Sequence, residues 1–154
     1  MSSTDSAAAL VAAAHRSVLE AVLASRSEAR FAAAYLAALR AGAAVLATRA
    51  RPSRTSQSGR SGRSRAPRQS RPRSVWVVLP TIAPELGEWA SFFALHAGKR
   101  ASAEAGLPVV TAREADDMVR EAEQFLAVVE NMLAGAHQSG LPFDWHGSHH
   151  ADSV

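Results

Sequence analysis

The sequence predicts an all-α fold: a four-helix up-down bundle with a long disordered Arg-rich loop between helices two and three. Apolar residues recur every three or four positions through most of the chain, and strong helix formers lie between them. The stretch of about twenty residues after Pro52 is almost entirely Arg, Ser, Gly, Pro and Gln. The periodic segments flanking it are each about 20 residues long, as in simple helical bundles.

Length and composition indicate one domain. A chain of 154 residues that is 47% apolar can bury a sizeable core. We place the bundle at residues 1–135, with the disordered loop at 50–73 inside it, and a flexible His-containing tail at 136–154. The absence of cysteine excludes disulfides and thiolate sites and favours a cytoplasmic location. Ala-rich runs are too weakly hydrophobic to insert, so no membrane span is expected.

Helix one is predicted at residues 6 to 25, with Ser6 as its N-cap. The Ala-rich run at 7–14 resembles the apolar part of a signal peptide, but Asp5 precedes it where such a peptide carries Lys or Arg. We therefore expect a helix start there. The predicted core face holds Leu10, Val11, Ala14, Val18, Ala21 and Val22.

Helix two is predicted at residues 27 to 49, ending before Pro52. Gly42 lies inside it and should cost about 1 kcal/mol relative to Ala. The predicted core stripe is Phe31, Tyr35, Leu39, Ala43 and Leu46.

A short apolar run at 75–79 follows the Arg-rich segment. Its β-propensity allows a strand, but a lone strand leaves its backbone groups unpaired, so we expect an extended or helical lead-in that buries Trp76. Pro80 and Pro84 should bracket a turn, with Pro84 near the start of helix three at 84–105. Gly106 and Pro108 should end that helix. Its predicted core stripe is Leu86, Trp89, Phe92, Phe93 and His96.

Helix four shows the clearest boundary signals. Thr111 and Glu114 fit a capping box, and Gly135 is expected at the position just after the helix end. After Gly135 the helix formers give way to a tail, although Phe143 and Trp145 are candidates to dock on the bundle. The predicted seam toward neighbouring helices is Met118, Ala122, Phe125, Val129 and Met132.

Positive charge is concentrated in one segment. Residues 49 to 73 carry nine of the seventeen basic residues and no acid, so the rest of the chain has eight basic and fourteen acidic residues, a balance of −6. Such a segment can bind phosphates without sequence preference, although a solvated insertion with no specific role has the same composition. The candidate nucleic-acid-binding residues are Arg49, Arg51, Arg54, Arg60, Arg63, Arg65, Arg68, Arg71 and Arg73.

Three runs of sequence, at 29–42, 83–90 and 112–117, carry a family resemblance. The first reads ARFAAAYLAALRAG, the second APELGEWA and the third AREADD. Together they resemble an actinobacterial family of small HEPN-like proteins, over residues 10 to 134. The bias toward Ala, and toward Arg over a single Lys, agrees with a high-GC genome.

The resemblance implies an all-α bundle that associates with nucleotides or RNA, or that acts as a metal-independent RNase. Active members carry an Arg with a His five to seven residues later, which places both on one helix face. No Arg in this chain has a His at that distance. RNase activity is therefore not expected, and whether the chain has any other enzymatic activity stays open.

Three other groups of polar residues are candidate sites. His96 and Arg100 lie one helical turn apart and form a possible polar pair, but His96 also continues an apolar stripe as a core histidine would. The acids Asp116, Asp117, Glu121 and Glu123 lack the Glu-x-x-His repeat of metal-binding bundles and fit a solvated helix face. His146, His149 and His150 lack defined ligand spacing. We expect no cofactor and no physiological metal site.

Two functions remain. The first is a non-catalytic HEPN-like module that associates with nucleic acid or nucleotides through the Arg-rich loop. The second is a protein–protein adaptor or a homodimer, with a docking surface near Tyr35, Trp76 and Trp89.

Overall fold

A computed structural model describes residues 2–49 and 73–139, and these are helical throughout apart from short connections. Five α-helices follow in order: α1 (Ser3–Leu23), α2 (Ser27–Arg49), α3 (Val75–Ile82), α4 (Gly87–Glu104) and α5 (Ala112–Gln138), with a 3₁₀ turn at Pro84–Leu86 before α4. The all-α prediction is confirmed, with one helix more than the four expected. The predicted disordered loop at 50–73 lies outside the described residues, except for Arg73 at its end.

Helix α1 starts earlier than predicted. Its N-cap is Ser2, not Ser6: the Ser2 hydroxyl accepts a hydrogen bond from the Asp5 backbone N–H at 3.2 Å, and the Asp5 carboxylate accepts one from the Ser2 N–H at 3.1 Å. This reciprocal pair gives hydrogen-bond acceptors to the Ser2 and Asp5 N–H groups, which have no partner within the helix. The Ala-rich run is thus part of a capped helix, as expected.

The buried face of α1 is also narrower than predicted. Small residues line it, including Ala14, Ser17 and Ala21, whereas Val22 is 52% exposed. Arg40 of α2 donates to the Ser17 hydroxyl at 2.6 Å and to the Ala13 carbonyl at 3.1 Å, which ties the two helices together. The predicted contribution of Val22 to the core is therefore wrong.

Gly42 has a packing role in α2. A Cβ at this position would lie 2.8 Å from Cγ1 of Val75, at the start of α3. The missing side chain lets α3 cross α2 closely, about two turns before α2 ends at Arg49. Residues 49 and 73 therefore lie toward the same end of the bundle.

Between residues 75 and 105, the helices begin and end at other residues than predicted. The run at 75–79 is helical and buries Trp76 to 4% exposure, as expected. Pro80 lies inside α3 rather than in a turn, so that part of the prediction is wrong. Pro84 opens the 3₁₀ turn, which separates α3 from α4 and divides the predicted helix 84–105. Gly106 follows α4 with a φ of 76°, the left-handed conformation that glycine favours.

Helix α5 begins as predicted and ends later. The Thr111 hydroxyl accepts from the Glu114 N–H at 3.1 Å, and the Glu114 carboxylate accepts from the Thr111 N–H at 2.8 Å. The expected stop at Gly135 is wrong, because α5 continues through Gln138. A glycine inside a helix costs only about 1 kcal/mol, and Ala136 and Gln138, both good helix formers, extend the helix by three residues before the tail begins.

The core lies where α2, α3, α4 and α5 meet. Trp76 and Phe93 stack with ring centroids 4.8 Å apart, and Phe125 lies 5.3 Å from Phe93. The predicted seam of α5 is confirmed at Met118, Ala122, Phe125 and Val129, all buried. Helices α1 and α2 are long and apolar enough, by length and composition alone, to cross a membrane. Half of the apolar stretch of α2 is buried in the bundle, as in the core helix of a folded domain.

Candidate functional site

The sequence-predicted pair, His96 and Arg100, lies on α4 with the two side chains in different surroundings. His96 is half-buried, and its ring centroid is 4.5 Å from that of Phe92 and 6.4 Å from that of Phe31. Its Nδ1 donates to the Phe92 carbonyl at 2.8 Å. The ring is thus held by packing and by a hydrogen bond to its own helix.

Arg100 turns toward the core instead. Its guanidinium carbon lies 5.2 Å from the centroid of the Tyr35 ring, a cation–π contact, and one terminal nitrogen pairs with Glu104 at 2.8 Å. Its Nε is buried and has no hydrogen-bond partner in the structure. In the part of the chain described, no hydrogen bond joins Arg100 to His96. The pair therefore does not form a single polar unit.

Tyr35 connects three helices through its hydroxyl. The hydroxyl donates to the Phe93 carbonyl at 2.9 Å and accepts from Trp76 Nε1 at 2.8 Å. Burial raises the pKa of Tyr35 above its usual value of 10, although the Trp76 hydrogen bond and the Arg100 charge act in the opposite direction. The phenol stays protonated and serves as a structural donor and acceptor.

This arrangement corrects one expectation. The docking surface predicted from sequence comprised Tyr35, Trp76 and Trp89. Tyr35 and Trp76 are 2% and 4% exposed, so they cannot contribute to it, whereas Trp89 is half-buried. Sequence reasoning missed their mutual hydrogen bond and the Arg100 stacking. The sequence did contain one indication of such a hydrogen bond: Tyr35 lies on the apolar stripe of α2, and a buried phenol usually needs a polar partner.

A cavity of about 280 Å³ opens beside His96, between α4 and α5. Lys99 binds the Glu114 carboxylate at its edge. That hydrogen bond, with the Thr111 N–H, lowers the pKa of Glu114 to about 2. Asp117 and Glu121 also line the cavity, so carboxylates outnumber ammonium groups there. Such a lining does not attract phosphate.

Two of the four candidate acids of α5 pair with nearby cations. Asp116 pairs with Arg30 of α2, and Asp117 pairs with Arg120 at 3.1 Å. Within residues 2–49 and 73–139, no group of three or more His, Cys, Asp or Glu side chains could hold a metal ion. The tail histidines at 146, 149 and 150 lie outside the described residues.

Most cations of the folded part are also paired with carboxylates. Besides the pairs already described, Arg49 binds Glu85, Arg113 lies 3.9 Å from Asp117 and Arg26 lies 3.9 Å from Glu28. Arg73 is exposed. The other seven arginines of the Arg-rich segment lie outside the described residues.

A protein-family model shows which family this bundle belongs to. The model, described as SAV_6107-like HEPN, matches residues 21–130, which include α2, α3, α4 and most of α5. The chain belongs to the SAV_6107-like HEPN family. No curated protein and no solved structure matches it. The HEPN match contains Tyr35, Trp76, His96 and Arg100, together with the whole Arg-rich segment.

Proposed function

We propose that this HEPN protein is a non-catalytic module that associates with nucleic acid, with the Arg-rich segment 49–73 as the electrostatic contact. The separation of charge is the observation that carries the proposal. Nine basic residues and no acid occupy this segment, whereas the remainder of the chain has a balance of −6. Only this segment offers a phosphate backbone a net positive charge.

The ion pairs of the folded part support this assignment. Arg30, Lys99 and Arg100 all bind carboxylates in the bundle. A phosphate must displace those carboxylates before it can bind, at a cost in Coulomb energy. Basic residues 51 to 71 have no acid within their segment to compete with a phosphate.

The non-catalytic part of the proposal rests on His96. A ribonuclease of the HEPN type needs an Arg and a His on one face, five to seven residues apart, and this chain has none. His96 uses Nδ1 on the Phe92 carbonyl, and Arg100 faces Tyr35 and Glu104. We expect purified protein to leave single-stranded RNA intact, and His96→Ala to change stability alone. RNA cleavage that is lost in His96→Ala contradicts this proposal.

A protein–protein adaptor or homodimer is the second candidate. The observation that favours it is an exposed apolar patch at the end of α1, where Leu19, Val22 and Leu23 are 58%, 52% and 74% exposed. This patch replaces the Tyr35 and Trp76 surface as the candidate docking face.

One set of variants separates the two functions. The first variant changes the nine arginines of segment 49–73 to Ser, and the second changes Leu19, Val22 and Leu23 to Ser. Oligonucleotide binding is measured by fluorescence anisotropy, and self-association by sedimentation. The nucleic-acid proposal predicts that binding is lost in the first variant and retained in the second. Dimerisation that only the second variant abolishes, without any oligonucleotide binding, favours the adaptor.

A further inference from the structure

The cavity of about 280 Å³ between α4 and α5 has two unlike walls. Helix α4 contributes aromatic rings, because Phe92 and His96 lie one turn apart with their ring centroids separated by 4.5 Å. Two buried apolar side chains, Phe31 and Met118, also line the cavity. Helix α5 contributes carboxylates that recur three and four residues apart on one face: Glu114, Asp117 and Glu121.

The polar groups of this cavity are mostly hydrogen-bond acceptors. His96 Nδ1 donates to the Phe92 carbonyl, so Nε2 of the neutral ring carries no hydrogen and can only accept. Ionised carboxylates also only accept. The lining contributed by the described residues has a single ammonium group, that of Lys99, which already donates to Glu114. A ligand that fits this lining therefore brings hydrogen-bond donors and positive charge.

Glu121 is the carboxylate most available to such a ligand. Among residues 2–49 and 73–139, no Lys or Arg forms an ion pair with it. Asp117 lies near Arg113 and Arg120, but these two side chains are 92% and 64% exposed, and water weakens such surface pairs. A cation inside the cavity is better shielded from water than either arginine, so it interacts more strongly with the same carboxylates.

The spacing of the carboxylates suits a long organic cation rather than a metal ion. In the part of the chain that the structure describes, no three acidic or His side chains come together to hold a metal. Along α5 the three carboxylates are staggered by about 4.5 Å and about 6 Å, at 1.5 Å per residue. Ammonium groups joined by three or four methylenes are about 5 Å and about 6 Å apart, from bond lengths of about 1.5 Å. Ammonium groups and methylene stems both pack well on aromatic rings.

We propose that this cavity binds an aliphatic diamine or triamine. Its ammonium groups pair with the three carboxylates of α5, and its methylenes lie against Phe92. Nε2 of His96 accepts a hydrogen bond from one N–H of the ligand, and Lys99 competes with the ligand for Glu114. The proposal does not depend on the Arg-rich segment, so its failure leaves the proposed nucleic-acid function unaffected.

Calorimetric titration with spermidine tests the proposal on the full-length protein, freed of nucleic acid. Glu121→Gln removes a charge from the cavity and keeps the side-chain shape, whereas Glu123→Gln removes the same charge from an exposed position of α5 outside it. We expect Glu121→Gln to weaken binding about tenfold, as for one lost charge-assisted hydrogen bond, and Glu123→Gln to stay within about twofold of wild type. Absence of spermidine binding to wild type, or equal losses in the two variants, overturns the proposal.

Removal of the competing ammonium group gives a second test, in which binding is gained. Lys99→Ala leaves Glu114 to the ligand, and Arg16→Ala removes the same charge from an exposed position of α1 outside the cavity. We expect Lys99→Ala to bind spermidine about fivefold more tightly than wild type, and Arg16→Ala to stay within about twofold. Damage to the fold cannot produce tighter binding. A Lys99→Ala protein that binds no more tightly than Arg16→Ala overturns the proposal.

Discussion

Replacing Tyr35 by Phe removes a single oxygen from the core. The ring contacts stay: Tyr35 meets Phe93 at 6.1 Å between centroids and Trp76 at the same distance, both edge-on. What is lost is the acceptor for Trp76 Nε1 and a donor to the Phe93 carbonyl. The carbonyl lies inside α4 and keeps its helical hydrogen bond, whereas the indole N–H is left buried without a partner.

An unsatisfied buried donor costs about 1 to 3 kcal/mol, so we expect Tyr35→Phe to lower the free energy of unfolding by about 2 kcal/mol. Urea unfolding followed by circular dichroism measures the change, and the slope against urea should stay constant because the buried surface is unchanged. Trp76→Phe and the double variant complete a mutant cycle with an expected coupling of about 1 kcal/mol. A Tyr35→Phe cost below about 0.5 kcal/mol, with zero coupling, refutes the assigned role of the hydroxyl.

Four further substitutions test the packing and the charges. Phe125→Ala should lower stability by about 3 to 5 kcal/mol in the same unfolding assay, because the ring is fully buried; a cost below about 1 kcal/mol contradicts the placement of the core. Gly42→Ala should destabilise by about 1 kcal/mol despite its better helix propensity, since its Cβ meets Val75, and Val75→Ala should relieve that clash. Because the pKa of Glu114 is about 2 in the folded state against 4.5, its contribution to stability is complete above pH 4.5 and is lost as the pH falls toward 2. Melting temperatures across that pH range should fall less in Glu114→Gln, and parallel curves for both proteins count against the Lys99 interaction.

Strong local signals explain why α2 and the start of α5 were predicted correctly. Both have a long apolar stripe, and Thr111 with Glu114 gives a capping box whose geometry is local in sequence. The start of α1 carries the same kind of signal, because Ser2 and Asp5 are also three residues apart. Ser6 has no Glu or Gln three residues later, so the sequence alone favours the start at Ser2.

Two other errors concern glycines. The expected stop at Gly135 gave too much weight to a glycine, which costs a helix only about 1 kcal/mol, and α5 continues past it through exposed residues. The sequence showed Gly42 as a weak point of a helix, whereas the structure shows a close approach by Val75. No local pattern indicates which residue will lie opposite a glycine.

The candidate site was the least predictable part. Tyr35 and Trp76 are 41 residues apart in sequence, and Tyr35 and Phe93 are 58 apart, so their hydrogen bonds exist only after three helices pack. Helical spacing correctly places His96 and Arg100 one turn apart. It does not show that Arg100 stacks on Tyr35, because that depends on the neighbouring helix.

The salt dependence of oligonucleotide binding tests the proposed nucleic-acid function most directly. Fluorescence anisotropy with a short labelled duplex is recorded at several salt concentrations for wild type, for the nine-fold Arg-to-Ser variant of segment 49–73, and for a nine-fold Arg-to-Lys control. If about five of these arginines contact phosphates together, log K against log salt falls with a slope of about −4.5. We expect wild type and the Lys control to share this slope, and the Ser variant to lose both binding and slope. Wild type that fails to bind at low salt, or a Ser variant that binds equally well, contradicts the proposed function.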